Sequence, residues 1–146
     1  MIELVEVNKD NWHECINLPT SDAHRWVASN LYSIAEAQFY PKACAYCIYA
    51  NDQMVGFTMY GLDEDDETTL CVDRLMIAEP YRGRGLGPLV LEKIIQQAMD
   101  LGLARVSLST APENLQAKHV YEKVGFRATG MKDGDEDVYH YVCKGC

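Results

Sequence analysis

A run of alternate glycines gives the clearest chemical signal in this sequence. The glycines follow an apolar strand (residues 74–78) and precede a long helix that begins near Leu86. Glycine lacks a Cβ atom, so its backbone can adopt positive φ angles and approach a ligand closely. Free amides and the positive end of the helix dipole then face one point, which suits a phosphate or pyrophosphate. Arg82 and Arg84 add positive charge among these glycines, which are Gly83, Gly85 and Gly87.

Three other interpretations of the glycine run need consideration. A Walker loop is excluded because no Gly-Lys-Ser/Thr follows the glycines. A dinucleotide fingerprint requires Gly-x-Gly-x-x-Gly and an acid about 20 residues later. Here the spacing is Gly-x-Gly-x-Gly, and the next strand (residues 106–110) carries no acid. An ordinary strand–helix turn with surface arginines remains open from this motif alone.

Length and charge narrow the class of protein. The chain has 146 residues, which predicts a single domain over residues 1–146. No run approaches the roughly 18 apolar residues that span a bilayer, and the N-terminus has no signal-like segment, so we expect a cytoplasmic protein. The net charge of −9 argues against nucleic acid and anionic membranes as partners. It is compatible with a small cationic substrate.

Six cysteines include two C-x-x-C pairs, Cys44/Cys47 and Cys143/Cys146. Two such pairs can form a zinc site. However, the first pair lies in a predicted strand, where side chains three residues apart point to opposite faces. We therefore expect no metal site, and reduced, mostly buried thiols instead.

Hydrophobic periodicity and turn residues predict eleven elements. They alternate as β-α-α-β-β-β-α-β-α-β-β, which indicates an α/β (α+β) domain with a mixed sheet and helices on both faces. A second helix capped by Ser21 or Asp22 and closed by Pro41 belongs to this set. The predicted strands are residues 2–7, 43–50, 54–62, 70–78, 105–110, 126–131 and 138–143; the other helices are residues 8–17, 86–101 and 115–124.

A second motif lies in the last predicted helix. Asn114 caps this helix, and Tyr121 lies seven residues later, about two turns, so both face the same side. Taken alone, this is an ordinary capped helix with a tyrosine in the core.

Together the two motifs resemble the GNAT superfamily of N-acetyltransferases. The family's Arg-x-x-Gly-x-Gly pattern is matched by the arginine and glycines above. Its Asn…Ala…Tyr…Gly-Phe pattern is matched at residues 114, 117, 121 and 125–126. The element order also agrees, so the resemblance covers nearly the whole chain. It implies a mostly antiparallel central sheet of about seven strands, and acetyl-CoA as the donor. The implied cofactor-binding residues are Leu75, Met76, Ile77, Arg82, Gly83, Arg84, Gly85, Leu86, Gly87, Asn114, Ala117 and Tyr121.

A narrower resemblance, to bacterial spermine/spermidine (diamine) N-acetyltransferases, lies in residues 27–37, 55–60 and 73–77. It implies that the acceptor is a primary amine of a polyamine or diamine. Many relatives are dimers, so the resemblance also implies a homodimer. The substrate-binding residues predicted on this basis are Glu36, Tyr60, Asp63, Glu64 and Asp73.

The reaction requires a base, because an alkyl amine attacks a thioester only in its neutral form. Asp73, on the motif strand, is the first candidate; an ion pair is its alternative role. Glu36 is the second candidate, against the alternative of a solvated helix acid. Tyr121 would protonate the leaving thiolate. The acidic run of residues 63–67 is either a solvated loop or a site for a distal ammonium.

Other functions stay open at this stage. The acceptor could be another amine, such as an aminoglycoside, an amino acid or a protein amine. A non-catalytic acetyl-CoA-binding module and a zinc-binding interaction protein are the two alternatives from other classes.

Overall fold

The computed structural model describes residues 1–20 and 28–143, which form one seven-stranded sheet with helices on both faces. This confirms the predicted fold class. The start of the predicted second helix, with its caps Ser21 and Asp22, lies outside the described residues, as does Cys146. The strands are β1 (Ile2–Glu6), β2 (Ala43–Ala50), β3 (Gln53–Leu62), β4 (Thr69–Ile77), β5 (Arg105–Thr110), β6 (Arg127–Asp133) and β7 (Glu136–Val142). The helices are α1 (Trp12–Ile16), α2 (Asn30–Ala37), α3 (Leu86–Asp100) and α4 (Leu115–Val124), with a 3-10 turn at Glu79–Tyr81.

The sheet order is β1-β2-β3-β4-β5-β7-β6. All neighbouring strands are antiparallel except β4 and β5, which are parallel. Their pairing is short and runs only from Thr69↔Arg105 to Cys71↔Ser107. Because β4 continues to Ile77 and β5 to Thr110, the two strands separate beyond this point. The sheet is therefore open in its middle.

Helix α3 covers one face of the sheet with an apolar stripe. Val90, Leu91, Ile94 and Ala98 are fully buried, at the three- and four-residue spacing of one helix face. Residues of α4 pack against the same core. Burying an aliphatic side chain of this size stabilises the fold by about 1.5–3 kcal/mol. This packing fixes α3 against the sheet directly after the glycine turn.

The opposite face of the sheet is covered by α1 and α2. Cys15 of α1 and the sheet residues Cys47 and Phe57 are fully buried there. The buried Asn30 side chain donates a hydrogen bond to the Cys15 carbonyl oxygen at 2.9 Å, which joins the two short helices. Helix α2 is capped by Ser29, whose hydroxyl accepts from the Tyr32 amide at 3.1 Å.

The final hairpin is longer than predicted. Strands β6 and β7 pair through Lys132↔Asp137 and Asp133↔Glu136, so only Gly134 and Asp135 form the turn. Gly134 has a φ of 60°, the conformation that a tight hairpin turn requires. Acidic residues that the sequence places in a loop therefore extend the two strands.

Neither a membrane helix nor a metal cluster is found within residues 1–20 and 28–143. No helix there is long and apolar enough to cross a membrane. No group of three or more His, Cys, Asp or Glu side chains there could hold a metal ion.

One residue of the acidic run has a structural role. Asp66 accepts hydrogen bonds from the Thr68 amide (2.9 Å), the Thr68 hydroxyl (2.6 Å) and the Thr69 hydroxyl (2.8 Å). It also pairs with Arg105 at 2.8 Å. Since Thr69 and Arg105 are the first paired residues of β4 and β5, Asp66 fastens the start of their parallel pairing. The hydrogen bonds from Thr68 are the main cause that lowers the pKa of Asp66 to about 2.

We predict that Asp66→Asn makes the stability of the protein less dependent on pH. The folded state holds this carboxyl at a pKa below its ordinary value of 3.8. The stability it contributes is therefore complete above about pH 4 and is lost as the pH falls towards 2. Urea unfolding midpoints should differ between wild type and variant at pH 6 and converge near pH 2. Asp65→Asn in the same loop is the matched control, and a constant difference at both pH values would contradict the prediction.

Candidate active site

A groove of about 890 Å³ lies where β4 and β5 separate. Its walls come from β4, the glycine turn, the start of α3, the end of β5 and α4. All the predicted cofactor-binding residues line it except Arg84, whose guanidinium carbon lies 5.6 Å from the centre of the Tyr81 ring. Two motifs that are about 30 residues apart in the chain therefore meet in one cavity.

One wall of the groove is an unpaired strand edge. Strand β4 pairs with β3 as far as Gly56↔Ile77, but its pairing with β5 ends at Cys71. Between Val72 and Ile77 the backbone of β4 thus has no partner on the groove side among the strands of residues 1–20 and 28–143. An extended ligand could bind to these amide and carbonyl groups as an added strand does.

The glycine turn has the conformation that its sequence predicts. Gly83 and Gly85 have φ angles of 78° and 75°, in the left-handed region. A Cβ atom at Gly85 would meet no other atom within 4 Å, so conformation rather than packing requires glycine there. Gly85 is the N-cap of α3 and supplies no side chain to cap it. The first amides of α3, at Leu86 and Gly87, therefore lie beside the groove with their donors available to an anion.

The guanidinium of Arg82 donates hydrogen bonds to the protein backbone. Its Nε donates to the Ile77 carbonyl oxygen at 2.9 Å, and its Nη2 donates to the Thr20 carbonyl oxygen at 2.8 Å. These bonds hold the end of β4 and the glycine turn together. Arg82 still lines the groove, so its charge remains near any anion bound at the turn.

Tyr121 projects from α4 into the groove beside Phe126 and Tyr139, whose ring centres lie 6.1 and 6.0 Å away. Within the part of the chain that the structure describes, its hydroxyl has no hydrogen-bond partner. Burial, and to a smaller extent the Glu136 carboxylate, raises the pKa of Tyr121 to about 12. The phenol therefore keeps its proton at neutral pH and can donate it.

Asn114 holds α4 in place. Its side-chain oxygen accepts from the Ala117 amide at 3.3 Å, and its Nδ2 donates to the Thr110 hydroxyl at 3.2 Å. The cap thus connects the start of α4 to the end of β5. This connection fixes the distance between Tyr121, two turns further on, and the open strand edge.

Asp73 lies at a bulge in β4. Met59 pairs with Arg74 and Tyr60 pairs with Val72, which leaves Asp73 without a partner on β3. A bulge redirects side chains relative to regular alternation. Asp73 lines the groove, as do Leu75 and Ile77 of the same strand.

The protein surroundings raise the pKa of Asp73 to about 6. Desolvation by nearby protein atoms is the main cause, although Asp73 as a whole residue is exposed in the open groove. The Arg74 guanidinium opposes this effect, whereas the nearby carboxylates Glu36, Asp63 and Asp133 add to it. Asp73 is consequently ionised at neutral pH and accepts a proton more readily than an ordinary aspartate.

A second cavity of about 260 Å³ adjoins the groove and shares Asp73 and Arg74 with it. Its walls come from α2 and the residues after it, β3, the acidic run and β4. Four carboxylates line this cavity, against one guanidinium, and an aromatic ring contributes through Tyr40. Four of the five predicted substrate-binding residues thus come together here, namely Glu36, Asp63, Glu64 and Asp73.

Glu36 forms an ion pair with Arg74, with 3.1 Å between Oε1 and Nη2. This pairing differs from both roles considered from the sequence, which were a general base and a solvated acid. Because the carboxylate already holds a cation, Asp73 is the better candidate for the base.

Tyr60 does not line either cavity, contrary to its predicted substrate role. Its hydroxyl donates to Gln97 of α3 at 2.6 Å, and its ring stacks on Tyr46 at 4.8 Å. The physical reason is strand alternation. Met59 faces the second cavity, and its neighbour Tyr60 faces the core below α3.

Arg74 and Glu136 belong to the site but are not among the residues predicted from the sequence. Arg74 was missed because alternation along a strand places it on the face opposite Asp73, whereas at this open edge every residue from Val72 to Ile77 lines the groove. Glu136 was missed because it lies in an acidic stretch that reads as a turn. In the structure it lines the groove and accepts a hydrogen bond from the Ser109 hydroxyl at 2.7 Å.

Comparison with known proteins agrees with this geometry. Residues 6–126 match the model of the acetyltransferase (GNAT) family. The chain is 32% identical over 143 residues to a spermine/spermidine N(1)-acetyltransferase of Bacillus subtilis, covering 90% of this chain and 91% of that protein.

Solved structures share the fold. An acetyltransferase from Thermus thermophilus superposes with a TM-score of 0.78 at 21% identity, covering 97% of each chain. A spermidine N-acetyltransferase from Vibrio cholerae, in complex with CoA and spermine, superposes with a TM-score of 0.75 at 17% identity. The match covers 97% of this chain and 95% of that one.

Proposed function

Because the chain belongs to the acetyltransferase (GNAT) family and is an acetyl-CoA-dependent N-acetyltransferase, we propose that its acceptor is a polyamine or diamine. The observation that carries this proposal is the acidic second cavity, which opens onto the groove at Asp73. Carboxylates favour a ligand with several ammonium groups. The name of the Bacillus subtilis relative supports the same substrate class.

The groove suits acetyl-CoA as the donor substrate. Its pantetheine arm would bind along the unpaired edge of β4, between Val72 and Ile77, as an added strand. The pyrophosphate would lie at the glycine turn, where the first amides of α3 and Arg82 supply donors and positive charge. The acetyl group would then lie near the junction of the two cavities.

Asp73 would serve as the general base and Tyr121 as the general acid. The Asp73 carboxylate takes a proton from the acceptor ammonium, directly or through a water molecule, and releases it to solvent. The neutral nitrogen then forms the new C–N bond while the C–S bond breaks and its electrons pass to the sulfur. As the amide forms, the nitrogen loses its second proton to the Asp73 carboxylate. The Tyr121 hydroxyl donates its proton to that sulfur, and solvent restores it.

These two proton-transfer groups hold opposite protonation states over a wide range of pH. Burial raises the pKa of both, to about 6 for Asp73 and about 12 for Tyr121. Between these values Asp73 is a base without its proton and Tyr121 is an acid with its proton. Because both values rise, the ordinary gap between a carboxyl and a phenol is kept, while Asp73 becomes a stronger base than an ordinary aspartate.

The far end of the second cavity would bind a distal ammonium. Asp63 is held there by the Asp65 amide (3.0 Å) and the Cys71 thiol (3.2 Å), which donate to its two carboxylate oxygens. Glu64 lines the same end and has no hydrogen bond within the described part of the chain. Asp63 would thus be a fixed charge and Glu64 an adaptable one.

A panel of amines tests the proposed function directly. Thiol release from acetyl-CoA would be followed with spermine, spermidine, putrescine, an aminoglycoside, an amino acid and a lysine peptide. High kcat/KM for the polyamines supports the proposal. A preference for another amine would agree with acetyltransferase activity but would rule out a polyamine as the preferred acceptor. Acetyl-CoA binding without any turnover would favour a non-catalytic module.

We predict that Glu64→Gln raises KM for spermidine several-fold and leaves KM for a monoamine unchanged, because only the longer substrate reaches Glu64. Steady-state kinetics with both amines provides the measurement. Asp65→Asn, which removes the neighbouring charge from outside the cavity lining, is the matched control. An equal change in KM for the two amines would show that Glu64 does not bind the distal ammonium of the substrate.

We predict that Tyr121→Phe lowers kcat by about 100-fold, the usual contribution of a general acid, without changing the affinity for acetyl-CoA. Stopped-flow turnover and calorimetry would measure the two quantities. Tyr139→Phe removes a neighbouring hydroxyl that lies outside the groove lining and should leave kcat unchanged. Wild-type kcat in Tyr121→Phe would show that the proton comes from another group.

We predict that Gly85→Val abolishes acetyl-CoA binding. A β-branched residue resists the left-handed φ of 75°, so the turn reorganises and its amides leave the groove. Gly102→Val is the control, since Gly102 has a φ of 72°, also with no atom near the added Cβ, and lies outside the groove lining. Both variants should lose about 1–2 kcal/mol of unfolding free energy, but only Gly85→Val should fail to bind in calorimetry. Normal affinity in Gly85→Val would place the pyrophosphate elsewhere.

A further inference from the structure

Arg74 lies where the two cavities join, and it lines both of them. Its guanidinium is fixed by two hydrogen bonds. Nη1 donates to the Asp73 carbonyl oxygen at 2.9 Å, and Nη2 donates to Glu36 Oε1 at 3.1 Å. The Arg74 carbonyl oxygen in turn accepts from the Thr58 hydroxyl at 2.7 Å. The charge therefore has a set position next to the proposed base.

Arg74 is also the one cation among the described residues that line the second cavity. The Glu36 carboxylate does not satisfy every donor of this guanidinium, because the buried Nε–H has no acceptor within the described part of the chain. The other titratable groups that face this region are carboxyl groups, one phenol and one thiol. They are Glu36 and Tyr40 from α2 and the residues after it, Asp63 and Glu64 from the acidic run, Cys71 and Asp73 from β4, and Asp133 from β6.

This arrangement addresses a conflict in the chemistry of the site. Carboxylates attract an ammonium, but they also stabilise its protonated form, which cannot attack the thioester. The reactive site must hold an ionised Asp73 together with a free amine, so it must lose one proton to solvent. A fixed cation favours whichever state has the smaller positive charge.

On the basis of the proposed function, we propose that Arg74 is a positioning residue that favours the reactive, proton-depleted site. Its guanidinium favours the state in which Asp73 is a carboxylate and the acceptor nitrogen is neutral. The carboxylates further out in the cavity hold the distal charges of the substrate, and Arg74 acts at the nitrogen that reacts. The direction of its effect on Asp73 agrees, because the guanidinium lowers the pKa of that carboxyl against the effect of burial.

The pH dependence of kcat/KM tests this inference, with the best acceptor from the amine panel. In wild type we expect an acidic limb, where activity falls as Asp73 and the amine gain a proton. In Arg74→Gln this limb should move to higher pH by about one unit, the lower end of the effect of a nearby charge. In Arg74→Lys, which keeps the charge, the limb should stay near its wild-type position.

Further variants complete the experiment. Arg127→Gln is the matched control, because Arg127 donates to the backbone carbonyls of Glu122 and Phe126 and does not line either cavity. It should leave the limb in place. If Arg74→Gln does not fold, the double variant Glu36→Gln/Arg74→Gln supplies the second test, because it leaves neither partner of the ion pair without its counter-charge. Glu36→Gln alone moves the limb to lower pH through the loss of its own charge, so the double variant is compared with it and should have its limb at higher pH.

The outcomes separate this inference from the proposed function. An unchanged limb in Arg74→Gln, or an equal shift in Arg74→Lys, would overturn the role of Arg74. If Arg74→Gln does not fold, the same limb position in Glu36→Gln and in Glu36→Gln/Arg74→Gln would do the same. Asp73→Asn tests the base itself. If that variant keeps the wild-type profile, the proposed base is wrong; if it loses the limb while Arg74→Gln leaves it unmoved, only the Arg74 inference fails.

Discussion

The structure depends on the short parallel pairing between β4 and β5. Three residues of each strand pair, and the strands then separate. Both strands have full partners on their other sides, so the sheet stays intact while its middle opens. The separation leaves one edge of β4 free and makes room for a groove of about 890 Å³. Asp66 and Arg105 fasten the paired end, and the packing of α3 and α4 supports the open end.

Two neighbouring residues of β4 give this opening its chemistry. Asp73 lies at a bulge, without a partner on β3, and Arg74 follows it in the chain. Both line the groove and the second cavity, so they lie where the two cavities join. A carboxylate that can accept a proton thus lies next to a cation that disfavours added protons.

The sequence predicts the helices, the strands and those motifs whose conformation depends on residues only a few positions apart. Strands 43–50 and 105–110 and helix 115–124 have their predicted bounds, because periodicity, caps and turn residues act within a few positions of the chain. The glycine turn is a local property as well, since positive φ angles favour glycine wherever they occur. The groove lining at residues 82–83, 85–87, 114, 117 and 121 lies within those motifs, whereas residues 75–77 were implied by the resemblance to the GNAT family.

The directions and contacts of individual side chains, in contrast, depend on the tertiary structure. Tyr60 packs in the core below α3, and Arg74 lines the site. Asp66 forms hydrogen bonds and an ion pair with the start of the paired strands, where the sequence predicts a loop charge. Each outcome depends on strand register, on an open strand edge, or on a partner far away in the chain. The sequence pattern specifies none of these, because a shift of one residue in a strand moves a side chain to the opposite face of the sheet.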